Sequence, residues 1–470
     1  MTTVLAIDQG TSGTKAIVVG PDDEILGLAE VTIRPRYLPG GGVEQDPQAL
    51  LDSVLTAGRA AIAQSPTPVD VVTLANQGET VLAWDPVTGA PLSPMIVWQD
   101  RRADSVCAGL SRQAATIAAR TGLVLDPYFS APKQAWLRRN VTAAGVVTTS
   151  DTWLLHELTG EFVTDVSTAS RSLVTDLDTT DWDDDLLELF DLESEARPRI
   201  LGNDEIAGHT DAFGRRTPVG GLVVDQQAAL LAESCLTAGD VKCTFGTGAF
   251  LLANTGRTAT RSAAGLAASV AWSIKGDPTY CFDGQVYTAA SAVRWLEQLG
   301  LIGSAAELDG AAAPDAGGVL CVPAFAGLAA PWWRPDATAT LTGMTLSTGR
   351  EHIVLAVLQG IAAQVAELGR LVGQDAAVPL QRLRADGGLT RSRVLMQAVA
   401  DLMQIPIDIY PSPHATPLGA AALARMAMDP TLELPDAVIA WQPVTTYEPQ
   451  WSAARATDFR SRWMSAAVSR

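Results

Sequence analysis

Three short turns in this sequence contain residue types that can bind phosphate groups. The first, DQGTSGTK (residues 8–15), places small polar residues between two apolar runs. Glycine and hydroxyl residues let backbone N–H groups approach phosphate oxygens closely, and Lys15 adds a positive charge. The spacing differs from that of the GxxxxGK[ST] loop, and no helix is expected directly after it. An ordinary hairpin turn uses the same residue types, so this segment alone does not establish a phosphate site.

Two further glycine turns strengthen the phosphate interpretation. FGTG (245–248) again lies between apolar runs, and DGG (386–388) ends a short strand where a helix follows. Ligands of α/β proteins bind at the edge where strands meet helices. Each turn can be a plain turn by itself, but two of them facing each other across a cleft would hold a polyphosphate from both sides.

Asp225 stands where the apolar run GLVV (221–224) meets a helix-like segment. A carboxylate at such a junction can simply cap the helix. It can also act as a general base that accepts the proton of a substrate hydroxyl. Phosphoryl transfer uses a base of this kind together with a metal ion on the phosphates. Both interpretations remain open from the residue alone.

The histidines and cysteines give no indication of a metal site, because no pair has the spacing of zinc ligands. They are His156, His209, His352, His414, Cys107, Cys235, Cys243, Cys281 and Cys321. The odd number of cysteines, together with an N-terminus that has the composition of a strand and not of a signal peptide, predicts a reduced, cytoplasmic protein.

Length and composition are those of a soluble multidomain protein. At ~100–200 residues per domain, 470 residues predict two to four domains, and a hydrophobic content of 47% allows large cores. The formal charge of −19 disfavours binding to nucleic acid or to anionic lipid. No run reaches the ~18 apolar residues that a spanning helix needs. None of this argues against a nucleotide held by backbone amides in a local pocket.

The apolar runs predict an α/β protein with a hairpin around each of the first two turns. A helix is predicted over 47–63, since apolar residues recur at three- and four-residue spacing, and a strand is expected to end near Leu74. Further helices are predicted over 351–368, ended by Gly369, and over 394–403.

The two similar hairpins, one in each half of the chain, indicate a duplicated α/β architecture. We predict an N-terminal domain over 1–237, which holds the substrate and part of the phosphate site, and a C-terminal domain over 238–470, which binds the nucleotide. No long linker is visible, so the two domains are expected to pack together with a cleft between them.

Eight segments occur in the order found in the FGGY carbohydrate kinases, and the sequence resembles that family from about Val4 to Ala424. They are DQGTSGTK, NQGET, IVWQDRRA, TGLVLDPYFSAPKQAWL, VDQQAAL, TFGTGAF, PAFAGLAAPWW and ADGGLTRSRVLMQ. ATLTGMTLSTGREHIVLAVLQ also resembles the second signature of the family. Eight motifs in the right order are far more specific than any one of them, and the glycerol kinases are the branch of the family with the nearest match.

The resemblance implies two ribonuclease-H-like domains, related to actin and hexokinase, with ATP and Mg²⁺ in the cleft between them. It implies Asp225 as the catalytic base and Asp8, with Asp225, near the metal ion. The positions that match nucleotide-binding residues of the family are Thr11, Ser12, Gly13, Lys15, Gly246, Thr247, Ala290, Arg294, Gly388 and Ser392.

The resemblance also implies a polyol site. The positions that match it are Gly78, Glu79, Trp98, Tyr128, Asp225, Gln226 and Phe250. Phe250 matches an aromatic residue that covers the carbon skeleton of the substrate. Without the resemblance, the aromatic residues in this set are explained equally well as core residues.

Five positions depart from the pattern of the glycerol kinase branch. Gly78 replaces an arginine, which removes a rigid multi-donor contact to substrate hydroxyls and opens space. Val224 replaces the glycine before the catalytic aspartate. Ala290 and Arg294 replace a glycine and a glutamine, and Ser392 replaces an asparagine near the adenine. The phosphate turns and the catalytic aspartate are intact, so the departures bear on the substrate more than on the chemistry.

The leading hypothesis is an ATP-dependent kinase that phosphorylates a hydroxyl of a small polyol or ketose, with four or five carbons favoured by the missing arginine. The alternative within this class is a glycerol kinase proper. An actin-like nucleotide-binding protein without kinase activity is the alternative of another class, although it would not need Glu79, Tyr128 and Asp225 in one pocket. An acyl phosphotransferase is disfavoured, because its carboxylate substrate would need basic residues. A homodimer and a homotetramer both remain open.

Overall fold

The computed structural model describes residues 2–468 and shows an α/β protein with two large sheets. In the first half of the chain the strands are β1 (Val4–Gln9), β2 (Gly13–Val19), β3 (Ile25–Thr32), β4 (Arg36–Leu38), β5 (Gly42–Gln45), β6 (Val71–Asn76), β7 (Val81–Trp84), β8 (Met95–Ile96), β9 (Val146–Thr149), β10 (Val163–Asp165), β11 (Thr175–Asp176), β12 (Asp181–Trp182), β13 (Arg199–Leu201), β14 (Ile206–Thr210), β15 (Thr217–Gly220) and β16 (Val223–Val224). In the second half they are β17 (Val241–Phe245), β18 (Ala249–Gly256), β19 (Ala267–Ile274), β20 (Asp277–Val286), β21 (Leu320–Val322), β22 (Thr340–Thr342), β23 (Leu383–Asp386), β24 (Ile407–Ile409) and β25 (Thr446–Tyr447).

The helices cover the faces of these sheets. They are α1 (Pro47–Ile62), α2 (Asp104–Gly109), α3 (Ala114–Thr121), α4 (Ser130–Asn140), α5 (Ser150–Thr159), α6 (Val166–Ala169), α7 (Asp184–Leu189), α8 (Asp225–Ala232), α9 (Ala290–Gln298), α10 (Leu308–Ala311), α11 (Arg350–Asp375), α12 (Arg393–Met403), α13 (Ala415–Met428), α14 (Leu434–Ala437) and α15 (Ala453–Val468).

Six strands of one large sheet have the same arrangement as six strands of the other, whereas β16 in the first sheet and β19 in the second have no counterpart. The first has the order β14-β15-β6-β1-β2-β3, with β16 also paired to β6, and the second has the order β19-β20-β18-β17-β23-β24-β25. In each sheet the first strand of a hairpin, β1 or β17, pairs on its other side with a parallel strand, β6 or β23. Both hairpins predicted from the sequence are therefore present, and the turn of each lies at the edge where the parallel strand also ends.

The first half of the chain also contains a smaller sheet. It has the order β4-β5-β8-β7-β9. Trp98 follows β8, and Gln45 ends β5. This sheet therefore brings two side chains towards the hairpin turn of the first large sheet.

The element boundaries agree with the predicted ones within a few residues, except at Gly369. The helices predicted over 47–63 and 394–403 are α1 and α12, and the strand expected to end near Leu74 extends to Asn76. Gly369 does not end α11, which continues to Asp375. A Cβ atom at Gly369 would lie 2.5 Å from Cε of Met403. This glycine therefore leaves room for the end of the Met403 side chain of α12.

Of the helices in residues 2–468, only α11 is long and apolar enough to cross a membrane. Its most apolar 18-residue window is 89% buried inside the protein. α11 packs against α12, α15 and β21. Its apolar length therefore belongs to the core of the second half of the chain.

The contact between α8 and α13 fixes the position of the helix that begins with Asp225. Gly419 of α13 faces the backbone of α8, since a Cβ atom there would lie 1.9 Å from the carbonyl oxygen of Ala228. A backbone atom cannot move aside as the end of a flexible side chain can. The distance between these two helices therefore requires glycine at position 419.

We predict that Gly419→Ala destabilises the protein, because the added methyl group overpacks the α8–α13 contact at a cost of ~1–3 kcal/mol. The measurement is the free energy of unfolding in urea. Gly310→Ala in α10 is the matched control, because no atom lies within 4 Å of a Cβ added there. Alanine is the better helix former by ~1 kcal/mol, so the control should be as stable as the native protein or more stable. Equal stability of both variants would contradict the packing argument.

Candidate active site

The edge of the first large sheet brings together three segments with chemical potential. Gln9 at the end of β1 and Val224 at the end of β16 both lie opposite Asn76 at the end of β6. The turn after β1, the loop after β6 and Asp225 therefore follow neighbouring strand ends. Ligands bind at such an edge in α/β proteins.

The edge of the second large sheet holds the other two turns in contact. Asp386 ends β23 beside the parallel strand β17. Gly387 has a φ of +94°, and a Cβ atom there would lie 2.5 Å from the carbonyl oxygen of Phe245. The backbone N–H of Ala290 donates to the carbonyl of Gly246 at 3.0 Å, so α9 begins on the FGTG turn. Only glycine permits this close approach of the third turn to the second.

A chain of hydrogen bonds links the first turn to the wall of the cleft. The hydroxyl of Thr11 donates to Oε1 of Gln77 and accepts from Nε1 of Trp98, each at 2.8 Å. Gln45 donates from Nε2 to the carbonyl of Thr11 at 2.6 Å and accepts from Nε2 of Gln77 at 3.0 Å. The hydroxyl proton of Thr11 is therefore used within the protein, which leaves backbone N–H groups and the exposed Ser12 to face a phosphate.

Lys15 lies beside the first turn and Gly388 beside the third. Lys15 on β2 is opposite Asp8 on β1. Gly388 is exposed, and no atom lies within 4 Å of a Cβ added there. Gly388 is therefore open to a ligand.

Three aromatic side chains form one wall of the cleft. The ring centroids of Trp98 and Tyr128 are 5.4 Å apart, and those of Trp98 and Phe250 are 6.1 Å apart, both edge-on. The buried Lys133 stabilises the loop that carries Tyr128, because its Nζ donates to the carbonyls of residues 127–129. Burial lowers the pKa of Lys133 to about 7. The wall joins the two halves of the chain, because Phe250 belongs to the second.

A buried arginine crosses between the two halves next to this wall. Arg171 donates from Nε to Oε1 of Glu79 and, at 2.9 Å, from Nη2 to Oδ2 of Asp283. Its guanidinium carbon lies 5.8 Å from the ring centroid of Tyr128. Burial raises the pKa of Glu79 to about 7, against the lowering effect of Arg171. Burial and the charge of Glu79 hold the pKa of Tyr128 well above its usual value.

Gln226 is oriented by a second buried cation. Nζ of Lys242 donates to Oε1 of Gln226 at 2.6 Å and to the hydroxyl of Thr244 at 2.7 Å. Because its oxygen is engaged, the amide of Gln226 has its NH₂ group available as a donor. The side chain is therefore poised to donate to an oxygen of a bound molecule.

Asp225 has the electrostatics of a general base. Burial raises its pKa to about 7, the nearby charge of Asp8 raises it as well, and Lys242 and Arg171 oppose the rise. The pKa of Asp8 is raised to about 6 by burial, against the effect of Lys15. A carboxyl group with a pKa near the working pH both accepts and releases a proton readily.

The carboxylates of Asp8 and Asp225 also suit a hard cation. The charge of Asp8 raises the pKa of Asp225, and a positive charge between two such carboxyl groups stabilises both in their ionised form. Among residues 2–468, no group of three or more His, Cys, Asp or Glu side chains is placed to hold a metal ion. Mg²⁺ commonly binds through one or two carboxylates plus substrate phosphates, so this pair fits a metal ion that arrives with a nucleotide.

Two of the sequence departures touch each other in the structure. Gly78 has a φ of +68°, and a Cβ atom there would lie 3.4 Å from Cγ1 of Val224. Any side chain at position 78 would therefore be strained and would meet this valine. Val224 therefore lies directly beside Gly78, at an ordinary van der Waals distance from the first carbon of any side chain placed there.

Two further predicted nucleotide contacts lie on α9 and at the start of α12. The hydroxyl of Ser392 donates to Oδ1 of Asp309 at 2.7 Å and caps α12 by accepting from the N–H of Leu395. Arg294 is exposed on α9. Their contacts to the nucleotide therefore stay a prediction from family resemblance.

Several polar residues of the cleft were not predicted from the sequence. Arg171, Asp283 and Lys242 are buried and charged, and Gln45 and Gln77 hold the first turn. A single charge inside an apolar strand, as in VKCTF or YCFDGQV, is a usable signal because a buried charge needs a partner. For Arg171 no local signal exists, since its partners are distant in sequence.

Family models match most of the chain. The N-terminal domain of the FGGY family of carbohydrate kinases matches residues 3–232, and the C-terminal domain of that family matches residues 241–428. Glycerol kinase of Oleidesulfovibrio alaskensis is 38% identical, covering 96% of this chain and 95% of that protein. Glycerol kinase of Thermus brockianus is 39% identical, covering 98% and 97%.

Solved structures agree with this assignment. Plasmodium falciparum glycerol kinase with ADP superposes with a TM-score of 0.91 at 30% identity, covering 99% of this chain and 97% of that one. Xylulose kinase of Rhodospirillum rubrum superposes with a TM-score of 0.87 at 25% identity, covering 99% and 98%. The predicted fold class, two ribonuclease-H-like domains flanking a cleft, is confirmed. The chain therefore belongs to the FGGY family of carbohydrate kinases, and it is an ATP-dependent kinase that acts on a small polyol or sugar.

Proposed function

We propose that this kinase transfers the γ-phosphoryl group of ATP to a terminal hydroxyl of a polyol or ketose with four or five carbons. The observation that carries the proposal is the place of Asp225. It lies at the same sheet edge as the first phosphate turn, next to the aromatic wall, and its pKa is raised to about 7. A base of that strength beside a phosphate turn suits the removal of a proton from a hydroxyl.

In the reaction, the substrate hydroxyl attacks the γ-phosphorus while the carboxylate of Asp225 accepts its proton. The aromatic wall of Trp98, Tyr128 and Phe250 covers the carbon skeleton and excludes water. Glu79 accepts a hydrogen bond from a substrate hydroxyl, and the NH₂ group of Gln226 donates one.

The nucleotide is held by turns from both halves of the chain. The residues that face its phosphates are those of the first turn, with Ser12, Gly13 and Lys15, and those of the FGTG turn, with Gly246 and Thr247. Asp8 and Asp225 would hold Mg²⁺, which neutralises charge on the phosphates when it is bound. The five unpaired, buried cysteines support a reducing, cytoplasmic location.

The size of the substrate follows from positions 78 and 224. The arginine that glycerol kinases carry at the first of these would donate to hydroxyls of a three-carbon substrate. Gly78 supplies no such donor, and the methyl groups of Val224 favour contact with carbon. A longer substrate gains contacts elsewhere in the cleft, whereas glycerol does not. Glycerol remains the comparison substrate, because the curated relatives described above are glycerol kinases.

We predict that Asp225→Asn lowers turnover by ~10²-fold or more, as the loss of a general base does, while ATP binding is retained. Turnover is measured by coupled assay, and binding of a non-hydrolysable ATP analogue by calorimetry. Asp151→Asn is the matched control, since Asp151 is also buried with a pKa raised to about 6, yet lies on α5 outside the cleft. Near-normal turnover of Asp225→Asn would reject the assignment.

The ionised form of Asp225 should also lower the free energy of unfolding at neutral and higher pH. Its pKa is about 7 when folded and ~3.9 in an unfolded chain, so the folded protein binds the proton more tightly between these values. Its contribution to stability is therefore full below pH ~4 and is lost as the pH rises through about 7. We predict that Asp225→Asn gains stability relative to the native protein more at pH 8 than at pH 4.5, measured by urea unfolding without nucleotide or Mg²⁺. A difference that does not change with pH would contradict this.

The substrate preference should move when both pocket departures are reversed. We predict that the native enzyme has a higher kcat/KM for a four- or five-carbon polyol or ketose than for glycerol. The double variant Gly78→Arg, Val224→Gly should raise kcat/KM for glycerol by roughly ten- to a hundredfold, since one charge-assisted hydrogen bond contributes ~1.5–3 kcal/mol. Gly78→Arg alone should gain less, because the new side chain must fit beside Val224. A native enzyme that prefers glycerol to every longer candidate would contradict the proposed four- or five-carbon substrate.

A further inference from the structure

Two of the three nitrogen atoms of the Arg171 guanidinium donate to carboxylates, and the third has no partner in the described part of the chain. Nε is bound to Glu79 and Nη2 to Asp283, while Asp283 also accepts from Nε2 of Gln285 at 3.1 Å. Nη1 has no hydrogen-bond partner among residues 2–468, and the protein does not enclose it completely. The same holds for Oε2 of Glu79. Nη1 of Arg171 and Oε2 of Glu79 therefore each keep capacity for one further hydrogen bond, although both residues are almost fully buried.

The strand that carries Asp283 faces the cleft. Side chains alternate between the faces of a strand. Gly284 faces α11, since a Cβ atom there would lie 2.7 Å from Cδ2 of Leu368. Asp283 and Gln285 therefore point the other way, and Gln285 is directly opposite Phe250 of the aromatic wall in the register of β18 and β20. Arg171 thus meets its second partner on the cleft face of this sheet.

Arg171 is also within electrostatic reach of the reacting groups. Its charge lowers the pKa of Asp225 and of Tyr128, although burial outweighs it in both. Its guanidinium lies over the ring of Tyr128. Arg171 therefore lies beside the aromatic wall and near Asp225, and not in a distant part of the core.

The chemistry of the Arg171–Glu79 pair matches the hydroxyl groups of a polyol. A hydroxyl both donates and accepts, so one hydroxyl can accept from Nη1 of Arg171, and a hydroxyl of the same substrate can donate to Glu79. A carboxylate fits less well, because two carboxylates already surround the single guanidinium. The pair therefore selects neutral polyols and sugars over sugar acids.

We propose that Arg171 is a substrate-binding residue that supplies the guanidinium donor for a substrate hydroxyl, in the place of the donor that Gly78 lacks. This rests on the proposed function. The donor is oriented from both halves of the chain, by Glu79 of the first and Asp283 of the second, so its correct position requires the halves to be together. A planar guanidinium can serve three such directions, whereas the ammonium of a lysine cannot keep the same fork geometry.

The test is the variant Arg171→Lys, which keeps the positive charge between Glu79 and Asp283. We expect KM for erythritol and ribitol to rise at least tenfold with a smaller change in kcat, and KM for ATP to stay within twofold. Arg425→Lys is the matched control. Arg425 is equally buried and is bound to Asp23 and to the carbonyl of Gly20, outside the cleft. It should lose stability without any change in either KM.

A second variant keeps the proposal testable if Arg171→Lys does not fold. Gln285→Ala leaves Arg171 in place but removes a hydrogen bond from Asp283, and we expect a severalfold rise in KM for the polyols. An unchanged polyol KM in the folded Arg171→Lys variant would overturn the proposal, as would an equal rise for polyol and ATP. If Arg171→Lys does not fold, an unchanged polyol KM in Gln285→Ala overturns it.

The proposed function can fail separately from this inference. If the native protein phosphorylates no polyol, the proposed substrate class is wrong. Calorimetric binding of erythritol to the native protein, to Arg171→Lys and to Arg425→Lys then decides the role of Arg171. Binding that is weakened at least tenfold only in Arg171→Lys supports it, and equal or absent binding in all three rejects it.

Discussion

Buried charge between the two halves of the chain is the constraint on which the cleft depends. Glu79, Asp225 and Asp283 bring carboxylates into a region that also holds Arg171 and Lys242 as buried cations. Taking such groups out of water is costly, and their mutual attraction repays the cost only when the hydrogen bonds are well made. An enzyme that must bind a polar molecule away from water needs such groups, and they are arranged here so that each cation serves more than one partner.

The repeated sheet arrangement explains how these groups meet. A hairpin and its parallel neighbour end at one edge in each half, so each half contributes its turn and the residues that follow the parallel strand. In the first half that edge carries Asp225 and Glu79, and in the second it carries the FGTG and DGG turns. Glycines at close approaches, such as Gly387 against Phe245 and Gly419 against Ala228, allow the backbone to bring these segments together. The active site is therefore a consequence of strand register more than of any single loop.

Sequence reasoning predicted the local elements and the residues that stand in recognisable motifs. The two hairpins, α1, α12 and the junction at Asp225 follow from short-range periodicity and turn composition. Gly369 was different, because glycine has the same composition signal whether it ends a helix or admits a neighbouring one, and only the position of Met403 decides. Arg171 was not predictable, since its partners at 79 and 283 are brought together by tertiary structure. The closeness of Val224 to Gly78 was likewise not predictable, because it follows from the pairing of β16 with β6.

The central claim is that the γ-phosphoryl group of ATP passes to an acceptor hydroxyl and not to water. The most direct measurement follows the γ-phosphoryl group by ³¹P NMR with the native protein, Mg²⁺, ATP and a panel of three- to six-carbon polyols and ketoses. We expect a phosphomonoester of at least one polyol or ketose to appear in the same molar amount as the ADP formed. Formation of ADP and inorganic phosphate alone, with every acceptor in the panel, would contradict it.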